Sequence, residues 1–187
     1  MADEVKSRDL GLKAQKKILG KMASKNLTKM LIDEKTFEIL DEFYKVRREQ
    51  TGNKKDAEKM LHNIIKVMLK IGVLHKNERF APTELKLADQ LQQKTRMAAM
   101  TIVSFYEVDF TFDKFVLSKQ INEGRVILQQ LVEKHLTVKS KDRINAVFDI
   151  LGDSEFLSAL FDSAGPHRES LGKIVLRINE LLDEGAL

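Results

Sequence analysis

The chain has 187 residues, of which 43% are hydrophobic and 32% are charged, the balance of an ordinary soluble domain. It contains no long run of uncharged apolar residues and half of its first ten residues are charged, so we expect neither a transmembrane helix nor a secretory signal, and a cytoplasmic location. Because cysteine is absent, disulfides, thiolate catalysis and cysteine-based metal sites are excluded. The four histidines are scattered without metal-binding spacing, so we predict no metal site.

Positive charge is concentrated at the N-terminus. Residues 1–30 contain eight lysines and arginines against three acidic residues, a net charge of +5, whereas the whole chain has a net charge of +4. Such a segment suits phospholipid headgroups or nucleic acid, and a solvated basic helix is the alternative of equal weight. Nucleic acid is the weaker partner, because the aromatic residues fall at core-like spacing and are not interleaved with the lysines for base stacking.

Helical periodicity runs through the chain, and no segment alternates as a strand does. Residues 1–9 are predicted to be flexible, and Asp9 is a candidate cap for a basic amphipathic helix of about 10–22. Its apolar residues recur every four positions from Leu10 to Met22. A second helix of about 36–49 ends at a Thr-Gly-Asn turn.

The third and fourth predicted helices are unusually apolar. The third, about 54–75, contains IIKVMLKIGVL, where two lysines are the only charges. The fourth begins at Pro82, with Thr83 as a cap-like residue, and runs to about 108; its segment MAAMTIVSFY has no charge. Both are therefore expected to be surrounded by protein. They either form the solid centre of a bundle or line an apolar cavity whose mouth the basic helix covers, and periodicity does not decide between these interpretations.

Four more helices are predicted in the remainder of the chain. The fifth spans about 112–136, the sixth runs from Ser140 to a terminating Gly152, Asp153 caps the seventh, and the last spans about 166–183. Short loops and the absence of an internal repeat predict an all-α fold, a single bundle of six to eight helices, with one domain over residues 10–187.

We find no motif for catalysis. The chain lacks the glycine-rich phosphate-binding motifs, and Ser104 lacks the flanking glycines of a nucleophile elbow, so a packed or helix-bonded serine is the better interpretation. Asp109 and Asp113 form a carboxylate pair in EVDFTFD, but the alternation of aspartate with aromatic residues is more typical of a turn and a helix cap. We expect a protein that is not an enzyme and has no cofactor.

Several strings resemble the tumour-necrosis-factor-induced protein eight family, also called the TIPE family. The most distinctive are MTIVSFYEVDFTFD at 100–113, EKHLTVKS at 133–140 and QKKILGKM at 15–22. The similarity extends from about residue 10 to the C-terminus. It implies a TIPE homology domain over 10–187, a fold distantly like a death effector domain, and a central hydrophobic cavity that accepts phospholipid acyl chains.

The resemblance also implies site residues. Basic residues of the first helix and of the cavity rim would bind the headgroup of a phospholipid or phosphoinositide, and in this sequence they are Lys16, Lys17, Lys21 and Lys76. A further rim position, basic in some relatives, is Gln92 here, which leaves headgroup selectivity open, with Lys94 or Arg96 as nearby substitutes. The predicted cavity lining consists of Ile64, Met68, Ile71, Met100, Val103 and Phe105.

The function implied is that of a cytosolic protein that binds and transfers phospholipids or phosphoinositides and associates reversibly with anionic membranes. The resemblance implies regulation of cell death, immune signalling, autophagy or the cytoskeleton, with small GTPases or other signalling proteins as partners. The alternative is a death-effector-like protein–protein adaptor with a solid core and no lipid ligand, whose basic helix contacts an acidic protein.

Overall fold

The structure is a computed structural model that describes residues 6–19 and 33–187. Over these residues it contains eight α-helices, one short 3-10 turn and no strand, so the predicted all-α class is confirmed. The helices are α1 (Ser7–Leu19), α2 (Glu34–Thr51), α3 (Lys54–Lys76), α4 (Pro82–Glu107), α5 (Lys114–Val132), α6 (Val138–Leu151), α7 (Ser154–Phe161) and α8 (Arg168–Asp183). The 3-10 turn, Asp109–Thr111, lies between α4 and α5.

Side-chain caps fix the starts of two helices as the sequence predicts. The carboxylate of Asp113 accepts hydrogen bonds from the backbone N–H groups of Phe115 and Val116, at 2.8 and 3.1 Å. Asp153 accepts one from the N–H of Phe156 at 2.8 Å. Each bond satisfies a donor that the first turn of a helix leaves without an intrahelical partner. The predicted cap roles of both aspartates are confirmed.

Three helix ends differ from the predictions. The first helix begins at Ser7, so Asp9 lies in its first turn instead of capping it. The cap position of α4 is Ala81 and not Thr83, because the helix begins at Pro82; the N–H of Ala81 donates to the Glu84 carboxylate at 2.8 Å. The fifth helix ends at Val132, four residues early, and a turn separates it from α6. The predicted flexible segment 1–9 overlaps α1 from Ser7 onward, whereas residues 1–5 and the predicted part of the first helix beyond Leu19 fall outside the described residues.

The described residues form two compact units, which meet in sequence at Arg79 and Phe80. In the first unit α3 packs against both α1 and α2. Its core includes Leu61 and Ile65 of α3, both 0% exposed, beside Leu40 of α2 and Leu10 of α1. These residues recur at the spacing of a helix face, which is why the amphipathic pattern predicted their helices.

A left-handed glycine ends α2. Gly52 has φ +61° and donates its N–H to the carbonyl of Arg48. Only glycine adopts this conformation without a steric cost, so the predicted turn after the second helix is confirmed.

In the second unit α5 packs against α4, α6 and α7, and α8 packs against α4 and α7. Leu117, Leu131, Ile144 and Leu171 are at most 1% exposed and form its core. Gly152 ends α6 as predicted. Its φ is −91°, so the left-handed region is not the reason for glycine here; a Cβ atom at this position would lie 2.9 Å from the side-chain nitrogen of Asn122.

The expectation that the fourth helix is surrounded by protein is wrong. Only Glu84 and Ala99 of α4 are buried, and Met97 and Met100 are 51% and 52% exposed. A lack of charge permits burial without requiring it, because much of a folded protein's surface is apolar. The third helix follows the expectation as far as Leu69, which is 1% exposed, whereas the apolar residues at 71–74 are half-buried.

Candidate functional site

The basic helix α1 is held in place by α2. The N–H of Ser7 donates to a carboxylate oxygen of Asp41 at 2.7 Å, and the Ser7 hydroxyl donates to the carbonyl of Phe37 at 2.9 Å. Leu10 and Ala14 are 6% and 3% exposed. An aspartate at the N-terminus of a helix also interacts favourably with the helix dipole. The described part of α1 is therefore amphipathic, with its apolar side packed inside the first unit.

The predicted headgroup lysines differ in how far the structure describes them. Lys16 and Lys17 lie in the backbone of α1, but their side chains are outside the described set, and Lys21 lies outside the described residues. Lys76 is the exposed last residue of α3. The headgroup assignment therefore stays a prediction.

The predicted cavity residues lie on two helices. Ile64 is buried and Met68 and Ile71 are half-buried on α3, in the first unit. Val103 is half-buried and Met100 is half-exposed on α4, in the second unit. Several of these apolar side chains therefore keep accessible surface. Their role as a cavity lining also stays a prediction.

Phe105, the last predicted lining residue, belongs to an aromatic cluster in the second unit. Its ring meets Phe112 edge-on at 5.6 Å and Phe161 edge-on at 6.3 Å. Phe112 and Phe161 are stacked with centroids 4.7 Å apart. Edge-to-face and stacked rings are favourable arrangements, so this cluster anchors the end of α4 and the turn that follows it.

The predicted rim position, Gln92, and the two nearby basic residues, Lys94 and Arg96, have different surroundings. Gln92 is exposed. The ammonium of Lys94 lies 2.6 Å from a carboxylate oxygen of Glu123, and this hydrogen bond, with the positive charge, lowers the pKa of Glu123. Arg96 donates to the main-chain oxygen of Leu187 at 2.6 Å. An anionic headgroup would therefore compete with Glu123 for Lys94 and with a backbone oxygen for Arg96.

A pocket of about 500 Å³ opens near the starts of α1 and α2 in the first unit. Its described lining is Lys6, Arg8, Asp33, Glu34, Phe37, Glu38 and Asp41. Four carboxylates against two cations give this lining a negative charge, which disfavours a phosphate group. None of the predicted headgroup residues is part of the described lining.

The histidines do not form a metal centre in the part of the chain that the structure describes, where no group of three or more histidine or carboxylate side chains is placed to hold an ion. None of the described helices is long and apolar enough to cross a bilayer.

The family described as "Tumor necrosis factor alpha-induced protein 8-like" matches residues 5–185 of the chain. This chain belongs to the tumor necrosis factor alpha-induced protein 8-like family. The relatives support the assignment over nearly the full length. Tumor necrosis factor, alpha-induced protein 8-like protein 2 B of Danio rerio is 51% identical over 181 residues, covering 97% of each chain. Tumor necrosis factor alpha-induced protein 8 of Homo sapiens is 47% identical over 182 residues, covering 97% of this chain and 92% of the relative.

A solved structure shares the fold of this member of the tumor necrosis factor alpha-induced protein 8-like family. It is the C-terminal region of G-protein interacting protein 1 from Dictyostelium discoideum, with a TM-score of 0.65 and 18% identity over 84% of this chain and 96% of that one. The likeness supports the all-helical fold alone. The family resemblance predicted from the sequence strings is confirmed.

Sequence reasoning missed one buried polar pair in this family member. Glu84 of α4 is 8% exposed, and its carboxylate lies 2.9 Å from the Nε2 atom of His135. The hydrogen bond from His135, followed by that from Ala81 N–H, lowers the pKa of Glu84. Phe80 packs edge-on against the His135 ring at 5.2 Å. Glu84 accepts the N–H of Ala81, as the glutamate of a capping box does, but Ala81 is not a capping-box residue and nothing in the sequence indicated the partner 51 residues away.

Proposed function

We propose that this protein binds and transfers phospholipids or phosphoinositides. In this proposal the acyl chains are buried in an apolar cavity, and the headgroup is bound by Lys16, Lys17, Lys21 and Lys76. Membership of the tumor necrosis factor alpha-induced protein 8-like family supports a role in regulating cell death or immune responses. The proposal extends to regulation of autophagy and of the cytoskeleton. Small GTPases or other signalling proteins are the proposed partners.

The observation that supports the proposal is apolar surface that stays accessible on α3, in the first unit, and separately on α4, in the second unit. A solid helical core buries such residues completely, whereas Met68 and Ile71 are half-buried and Met97 and Met100 are more than half-exposed at 51% and 52%. Methionine is flexible and polarizable, which suits a wall that adapts to acyl chains of different shape. These side chains leave apolar surface on each helix, which a bound acyl chain would cover.

The free energy of transfer sets the size of the apolar surface that is needed. Each buried methylene contributes about 0.8 kcal/mol, so removing an acyl chain of roughly 16 carbons from a bilayer requires about 13 kcal/mol of compensating contacts. Only a dry apolar site competes with the bilayer for such a chain. We therefore expect lipid to remain bound through purification.

Electrostatic attraction supplies the docking step. A basic side chain near an anionic membrane contributes about 1 kcal/mol, and the first 30 residues carry a net charge of +5. Salt screens this attraction within about 8 Å at physiological ionic strength. Membrane association should therefore be peripheral and reversible, and should weaken as salt is raised.

The first experiment is organic extraction of the purified protein followed by mass spectrometry. We expect phospholipid in near-stoichiometric amount. A lipid-free protein that also fails to take up a short-chain phosphoinositide would overturn the proposal and favour the adaptor with a solid core.

The second experiment tests the headgroup residues by sedimentation with vesicles that contain phosphoinositide. The triple variant Lys16→Ala, Lys17→Ala and Lys21→Ala should lose binding. A matched triple variant at three exposed lysines outside the proposed site removes the same charge; these are Lys55, Lys59 and Lys86. Equal losses in the two variants would reduce the effect to net charge and contradict a specific headgroup site.

A further inference from the structure

The segment from Glu107 to Val116, here called the aromatic tip, joins α4 to α5 and exposes large apolar side chains. Phe110 is 87% exposed and Phe115 is 70% exposed, and Val108 and Val116 are exposed beside them in sequence. Four of the ten exposed large apolar side chains among the described residues thus fall within nine positions. Concentrated exposed apolar surface marks an interaction site more often than scattered single residues do.

The aromatic tip is braced by the residues between its exposed side chains. Phe112 points into the cluster with Phe105 and Phe161, stacking on Phe161 at 4.7 Å. The Thr111 hydroxyl donates to the carbonyl of Val108 at 2.6 Å, and Asp113 caps α5. Phe110 and Phe115 are therefore presented by an ordered turn. A surface that is ordered before binding loses less conformational entropy when a partner arrives.

The charges of the aromatic tip are predominantly negative. Glu107, Asp109 and Asp113 are all exposed, and Lys114 is the only cation between residues 107 and 116. The Lys114 ammonium lies 5.3 Å from the centroid of the Phe115 ring, where it interacts with the aromatic face. An anionic membrane would repel these three carboxylates, whereas a basic protein surface would attract them.

We propose that the aromatic tip docks a protein segment that presents an apolar face flanked by lysine or arginine, as a basic amphipathic helix does. Phe110 and Phe115 supply the apolar anchors, because aromatic side chains dominate the energetics of protein interfaces. Glu107 and Asp109 pair with the flanking cations and set the orientation of the partner. The surface contains none of the four lysines assigned to the lipid headgroup, so it is tested separately from lipid binding.

The test uses a fluorescent amphipathic helical peptide of leucine and lysine as the probe, with fluorescence anisotropy as the readout. The wild-type protein should bind it, and the double variant Phe110→Ser/Phe115→Ser should bind at least about tenfold more weakly. The matched control, Val126→Ser/Leu176→Ser, changes two side chains that are 56% and 55% exposed elsewhere in the second unit, and should bind as the wild type does. Circular dichroism and thermal melting verify that both variants fold.

Charge and membrane controls complete the experiment. A peptide of the same pattern with glutamate in place of lysine should bind the wild type at least about tenfold more weakly, and Glu107→Lys/Asp109→Lys should reverse that preference. Failure of the wild type to bind, or equal loss in the control variant, would overturn the proposal. So would loss of sedimentation with phosphatidylcholine–phosphatidylserine vesicles in Phe110→Ser/Phe115→Ser without loss of peptide binding, which would assign the tip to membranes.

Discussion

Two isoleucines of α3 differ in burial, and comparing them tests the proposed lipid contact. Ile65 is 0% exposed, whereas Ile71 is half-buried and is a proposed lipid contact. Replacement by alanine removes three carbon atoms at either position. At Ile65 the lost transfer free energy is joined by the cost of a cavity, for a total of about 2–5 kcal/mol. At Ile71 only part of the transfer term is lost and no closed cavity forms, so we expect about 1 kcal/mol.

The measurement is urea unfolding of delipidated protein, with thermal melting as a second readout. For a chain of this size, each kcal/mol lost corresponds to about 2–4 °C in melting temperature. Ile65→Ala should therefore melt several degrees below Ile71→Ala. Added short-chain phosphoinositide should raise the melting temperature of the wild type and of Ile65→Ala more than that of Ile71→Ala, because a ligand stabilises the folded state more when it binds that state more tightly.

Equal destabilisation by the two substitutions would refute this reasoning. It would mean that Ile71 is packed as tightly as Ile65 and that the surface of α3 beyond Leu69 is ordinary core. If phosphoinositide raises the melting temperature of both variants equally, Ile71 does not contact the lipid. That outcome would not contradict the packing described for Ile71.

Three further predictions rest on single contacts. The Tyr44 hydroxyl is buried without a hydrogen-bond partner among the described residues, so Tyr44→Phe should leave the melting temperature unchanged or raise it, and a loss above about 1 kcal/mol would contradict this. A Cβ atom at Gly172 would lie 2.8 Å from the Tyr106 hydroxyl, so Gly172→Ala should cost about 1–3 kcal/mol and Tyr106→Phe should restore much of that loss in a double-mutant cycle. The pKa of Glu84 is lowered by its hydrogen bonds, so its stabilising effect is present above the ordinary glutamate pKa of about 4.3 and is lost as the pH falls through its lower folded-state pKa. The difference in unfolding free energy between wild type and Glu84→Gln should therefore shrink between pH 7 and pH 3, and a constant difference would exclude this carboxylate as the cause.

Local sequence patterns were sufficient to predict where most helices lie, because helix formation and termination depend largely on residues a few positions apart. Asp113 and Asp153 cap helices where they were expected to, and Gly52 ends α2 with a left-handed conformation. One end that was misplaced, the start of α1 at Ser7, involves a distant residue: Asp41 accepts the Ser7 N–H at 2.7 Å. A pattern read along the chain contains no information about such a partner.

The candidate site was less predictable than the fold. The lysines and the apolar helices were identified by composition and by the family resemblance, and their binding roles remain proposals. The pairing of Glu84 with His135 and the exposure of Phe110 were not anticipated, since both depend on which residues approach from elsewhere in the second unit. Met97 and Met100 show the same limit, because an uncharged helix face is compatible with either burial or exposure.

The sequence by itself determined the all-α class, the family and the concentration of positive charge at the N-terminus, since these depend on residue type and near-neighbour spacing. Only the tertiary structure decided which phenylalanines of the SFYEVDFTFD string are core and which are surface. Phe105 and Phe112 pack with Phe161, some 50 residues along the chain, and this packing leaves Phe110 87% exposed. The physical reason is that burial is a property of the surroundings of a side chain, which no local pattern specifies.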